Sequence, residues 1–117
     1  MATFTKVLLS GCTDGLGVLI AATTAGGTTV HTAINSTTTI DEVWLYAANE
    51  NTSDATLNIE WGGTTDVTNT MKMVIPYKSG LQLVTPGLPI NNAKIIKAYA
   101  SITNKISIYG FVNRIEP

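Results

Sequence analysis

At 117 residues, with a net charge of −1 and a pI near 5.6, the chain is long enough for one core and lacks the basic balance of a nucleic-acid binder. Charged residues make up only 13% of it, about half the roughly 25% of an average domain; a surface so thinly charged is poorly protected against association, so partners are expected to cover part of it. A lone cysteine, Cys12, excludes an internal disulfide, and neither a signal peptide nor an apolar run of bilayer length is legible, which points to synthesis inside a cell.

Nine runs of alternating, β-branched character follow one another. Thr3 to Ser10 is the first, and Gly11-Cys12-Thr13-Asp14-Gly15 reads as a turn because Gly and Asp tolerate its backbone angles. Gly17 to Thr23 and Thr28 to Ile34 come next, broken by Ala25-Gly26-Gly27. Thr and Val favour these runs because a branched Cβ fits a pleated surface. Ile40 to Ala48 is the clearest strand, with Val43, Leu45 and Ala47 on one face and Glu42, Trp44 and Tyr46 on the other. Large groups on both faces predict a central strand covered on each side. Asn49 to Asp54 reads as a polar hairpin loop into Ala55 to Trp61, where Leu57, Ile59 and Trp61 share a face. Gly62-Gly63 ends that run, and Thr64 to Asn69 reads as a polar loop.

Met71 to Tyr77 carries Pro76 near its end, where a missing donor is tolerated. Leu81 to Thr85 is predicted to stop before Pro86-Gly87 and Pro89. Lys94 to Ala100 and Lys105 to Ile115 complete the set. Strands at intervals of roughly 8–12 residues, with no helical period and no linker, predict one all-β domain over residues 1–117, an antiparallel β-sandwich of jelly-roll type.

Residues suited to catalysis are few. Gly11 to Gly17 is glycine-rich but lacks the Lys-Ser/Thr pair and the helix of a phosphate-binding loop, so a hairpin turn is the default. His31 is the only histidine and is read as a strand residue on a partly covered face. The carboxylates Asp14, Asp41, Glu42, Asp54, Glu60 and Asp66 show no metal-ligand spacing, and any Ser-His-Asp or Cys-His scheme would have to use His31 as its base. Glu42 and Glu60 lie on neighbouring runs, and a facing pair would suit acid–base work on a sugar, although solvated or interface-facing carboxylates are commoner. The larger aromatics Trp44, Tyr46, Trp61, Tyr77, Tyr99 and Tyr109 are in most small domains core residues; exposed, they would anchor a protein contact or stack on sugars. Asn35-Ser36-Thr37 and Asn51-Thr52-Ser53 match a glycosylation sequon, as an Asn- and Thr-rich chain does by chance.

Four stretches carry a resemblance: Lys6-Val7-Leu8-Leu9-Ser10-Gly11-Cys12-Thr13-Asp14-Gly15, Asp41-Glu42-Val43-Trp44-Leu45-Tyr46-Ala47, Leu57-Asn58-Ile59-Glu60-Trp61-Gly62-Gly63-Thr64-Thr65, and Ile108-Tyr109-Gly110-Phe111-Val112-Asn113-Arg114-Ile115. Through them the whole chain resembles small virion proteins encoded among the structural genes of tailed bacteriophages. The resemblance implies a capsid decoration or cement protein: made in the host cytoplasm, carried on the outer capsid surface, commonly a homotrimer, and clamping neighbouring major capsid subunits. It supplies no catalytic residues, and the residues themselves lead to the expectation of no enzyme activity, cofactor, metal, nucleic acid or membrane. On this reading Trp44, Tyr46 and Trp61 are the buried anchors. Residues 1–6, with Ala2, Thr3, Phe4, Thr5 and Lys6, form an arm or edge strand that contacts a neighbour. The alternatives are another virion position (neck, tail or head fibre) and a carbohydrate-binding module for host attachment.

Overall fold

The computed structural model describes residues 2–64 and 68–117. It contains nine strands among the described residues: β1 (Thr3–Leu8), β2 (Val18–Leu19), β3 (Thr28–Thr32), β4 (Ile40–Asn49), β5 (Ala55–Trp61), β6 (Thr70–Ile75), β7 (Gln82–Ile90), β8 (Ile95–Ala100) and β9 (Ile106–Glu116). They form two sheets with every pairing antiparallel. Sheet A runs β1-β9-β4-β7, with β2 also on β9, and sheet B runs β3-β8-β5-β6. The chain is an all-β sandwich, as the alternation predicts. Of the polar loop read at Thr64 to Asn69, residues 65–67, including Asp66, lie outside the described residues.

The core is aliphatic. Val43, Leu45, Ala47, Ile106, Ile108 and Val112 point inward from sheet A, against Leu57, Ile59, Ile75, Ile96 and Ala98 from sheet B. Branched aliphatic side chains interdigitate well in a layer about 10 Å thick. None of the eight aromatic residues is fully buried.

The path of the chain corrects three expectations. The turn after Asn49 is not a hairpin, because β4 already has β9 on one side and β7 on the other, and β5 must cross to sheet B. Asn49 shapes that arch: its amide donates to Ile75 O (2.8 Å) and Ser53 O (3.2 Å) and accepts from Asn51 N–H (2.8 Å). The glycine-rich Gly11 to Gly17 is likewise no hairpin. It interrupts one edge, since β1 pairs with Leu8 opposite Phe111 and β2 resumes the same edge with Val18 opposite Ile108. Only Val18 and Leu19 of the run Gly17 to Thr23 are strand.

β7 runs on to Ile90 through Pro86 and Pro89, past the predicted stop. It is an edge strand, where proline is tolerated. Its register on β4 shifts twice, and Gly87 has φ +75°. At the irregularity the Thr85 hydroxyl stands in for the ladder, accepting from Leu45 N–H (3.1 Å) and donating to Val43 O (3.0 Å).

One buried charge joins the sheets. Asp41 of β4 is 0% exposed and accepts from Arg114 of β9 at both oxygens, Nε at 2.8 Å and a terminal nitrogen at 3.1 Å. It also accepts from His31 Nε2 of β3 (2.9 Å) and from Ile34 N–H (3.0 Å). Ser10 N–H donates to His31 Nδ1 (3.0 Å), which leaves Nε2 as the nitrogen that donates. A register shift places Val30 and His31 both inward, and so aims the imidazole at Asp41. His31 is therefore fully buried rather than on a partly covered face.

Burial alone would raise the Asp41 pKa; the bonds from Arg114, His31 and Ile34 N–H outweigh it and hold the carboxyl below its ordinary 3.8. Removing one partner of a buried pair leaves the others desolvated and unpaired. Asp41→Ala is expected to cost about 3 kcal/mol or more by chemical denaturation. The stability advantage of the wild type over Asp41→Asn is present in full above about pH 5. It declines as pH falls through the lowered folded-state pKa, below 3.8.

Candidate functional site

The outer face of sheet A is built of rows that cross the sheet, and the strand registers define them. Leu8, Phe111, Trp44 and Pro86 form one row across β1, β9, β4 and β7. Tyr109, Tyr46 and Leu83 form the next. Phe4, Ile115 and Ile40 form a third, towards the other end. Between the apolar rows runs a single polar one, Lys6, Asn113 and Glu42, with Pro89 at its end. Five of the eight aromatics in the chain therefore sit on one face.

Both charges on this face are engaged. The Glu42 carboxylate accepts from the Trp44 indole N–H (2.9 Å) and from the Asn113 amide (3.3 Å). Lys6 Nζ stands 4.7 Å from the centroid of Phe111, a cation–π distance. Phe111 in turn stacks on Trp44, with centroids 6.1 Å apart and planes 12° from parallel. Indole, phenyl and ammonium thus make one fixed platform spanning β4, β9 and β1.

Two glycines seat the rings. A Cβ at Gly87 would lie 2.9 Å from the Trp44 ring, and one at Gly17 would lie 2.9 Å from the Tyr109 ring. Neither position has space for a side chain, so both rings sit close against backbone. Phe4 (69% exposed), Leu8 (55%), Leu19, Leu83 and Tyr109 remain open to solvent. Strands of six, eleven, ten and nine residues, at about 3.4 Å per residue and about 4.8 Å apart, give a sheet face of roughly 600 Å², polar row included, against the roughly 800 Å² that one partner contributes to a standard interface.

Sheet B is different. Its outward positions are Thr29, Thr32, Ile95, Lys97, Tyr99, Thr56, Asn58, Glu60, Thr70, Lys72 and Val74, mostly polar. The two faces of the sandwich differ in character, and the apolar one is exposed.

The structure brings together only some of the residues singled out by sequence. Trp44 and Tyr46 share the outer face of sheet A, half-buried. Trp61 does not join them; it lies at the end of β5, packed against the aliphatic core. Thr3, Phe4, Thr5 and Lys6 pair in β1 with Glu116, Ile115, Arg114 and Asn113, the edge-strand form of the two forms expected for residues 1–6. Glu42 and Glu60 do not face each other, because β4 and β5 belong to different sheets. Glu60 is buried and accepts from Gly26 N–H (3.1 Å) and Gly27 N–H (2.8 Å). It therefore fixes the loop before β3. A cavity of about 270 Å³ adjoins it, lined by Gly62, Gly63, Lys94, Ile95 and Lys97 among others. Among the described residues, no three His, Cys, Asp or Glu side chains converge as metal ligands. Phe111 and Leu83 were missed because neither stands out in sequence; their register opposite Trp44 and Tyr46 is the signal.

Comparison with protein-family models, with curated proteins and with solved structures finds no match to this chain.

Gly87→Ala is expected to cost about 1–2 kcal/mol, since φ is positive and the added methyl meets the indole. In a Trp61→Phe background the same change shifts the Trp44 emission maximum, whereas Gly80→Ala, at a like φ with nothing nearby, leaves emission unchanged.

Proposed function

We propose that this chain is a bacteriophage capsid decoration protein, which docks the outer face of sheet A on the outer surface of the assembled shell and ties neighbouring major capsid subunits together. The observation that carries this reading is the placement of the aromatics, outside an aliphatic core and concentrated on one nearly uncharged face. Contiguous exposed apolar patches mark interaction sites. Aromatic residues with few charges are the composition of an interface centre.

The strand order supports the jelly-roll reading. The chain alternates between sheets from β2 to β5 and again from β6 to β9, and each four-strand path, β1-β9-β4-β7 and β3-β8-β5-β6, interleaves early with late strands. A rigid sandwich suits a part whose action is adhesion. Binding only to the assembled lattice stabilises that lattice by mass action. Contact with two subunits at once adds avidity.

The test uses heads stripped of this protein and then refilled with it. The wild type is expected to bind at hundreds of copies per head and to raise the temperature at which heads release DNA. Leu83→Lys with Tyr109→Lys, on the exposed face, is expected to weaken occupancy about tenfold or more while leaving the fold intact by circular dichroism. Trp61→Phe is expected to leave occupancy unchanged. Saturation at a dozen copies or fewer overturns decoration in favour of a neck or tail position. Binding to polysaccharide but not to heads overturns it in favour of host attachment.

A further inference from the structure

We infer that β1 is an assembly edge, on which a second copy of this chain adds its own β1 antiparallel, joining two A sheets into one. This rests on the edges of the sandwich and not on capsid attachment.

An unpaired edge strand is a template for another strand, and folded proteins blunt such edges with proline, bulges, short length or charge. The sandwich has four outer edges, and three are blunted. β7 carries Pro86, Pro89 and two register shifts. β3 is five residues long with a bulge at its middle. β6 runs directly into Pro76. β1 has neither proline nor bulge over six residues in unbroken register with β9. Its one charge, Lys6, lies over the Phe111 ring, on the face rather than along the edge.

The side chains select the register. A two-fold pair keeps both apolar faces on the same side only when residues of like parity lie opposite each other. Centring on Lys6 would set two ammonium groups opposite each other. Centring on Thr5 sets Phe4 opposite the second copy's lysine at position 6, twice, and Thr3 opposite its valine at position 7. Each ammonium then lies between two aromatic rings, Phe111 of its own chain and the phenyl ring at position 4 of the other. The exposed Phe4 is covered, and the near-neutral chain adds little repulsion between copies. The outer faces of the two A sheets become continuous. A two-fold pair also differs from the trimer that the resemblance implies, so mass separates the two.

Sedimentation velocity over a concentration series tests it. The wild type is expected to show a species of twice the 12.4 kDa chain mass. Phe4→Lys places lysines at positions 4 and 6 opposite each other and is expected to weaken self-association about tenfold or more. Phe4→Lys with Lys6→Glu restores opposite charges and is expected to recover it. Amides of residues 3–7 in the wild type are expected to exchange more slowly at high than at low protein concentration. A monomer at every concentration, any stoichiometry other than two, or a dimer that Phe4→Lys leaves intact overturns the inference.

Discussion

Asp41 takes hydrogen bonds from Arg114, His31 and the Ile34 N–H, and through them one carboxylate ties β9, β3 and the segment leading to β4 into a single unit. A buried charge is tolerable only when its hydrogen bonds are complete, and that requirement reaches far along the chain. It demands a bulge in β3 to turn His31 inward, and it holds the Ser10 backbone against the other imidazole nitrogen. It also sets Arg114 inward, so that Asn113 and Ile115 on either side of it face out. The two sheets meet at this end in one alignment, and the outer rows of sheet A follow from it.

The second constraint is the narrowness of the core. Sheet A contributes Val43, Leu45, Ala47, Ile108 and Val112, and sheet B contributes Leu57, Ile59, Ile96 and Ala98, all fully buried. Side chains of this size fill the space between two sheets about 10 Å apart without strain. Aliphatic residues fill that space, and five of the eight rings stand on the outer face of sheet A, while Trp61 packs against the core. Gly87 and Gly17 give two of them seats against backbone. The exposed apolar face is thus the counterpart of an aliphatic interior, and the sparse charge of the chain is the same fact seen in composition.

Strand positions were legible because alternation survives in nearly every run. Val43, Leu45 and Ala47 against Trp44 and Tyr46 is a pattern that only a strand explains, and β4 is central in sheet A. What alternation does not encode is which sheet a strand joins. The apparent hairpin at Asn49 to Asp54 is an arch for that reason, and Glu42 and Glu60 lie on opposite sides of the molecule. β7 was read short because proline argues against a strand except at an edge, and edge status is a property of the sheet. His31 was misplaced because a bulge breaks the parity on which the reading relies. Trp44 and Trp61 look alike in sequence, yet parity on their own strands sends one outward and the other towards the core.

β9 is the strand on which β1, β2 and β4 all pair. A nascent chain that still lacks residues 106–116 therefore has of sheet A only the β4–β7 pair, with β1 and β2 left without their partner strand. Loop closure between β1 and β9 spans nearly the whole chain, and pairing across such separations is slow. Sheet A is therefore completed only once β9 has been made, and one edge of β4 stays unpaired until then.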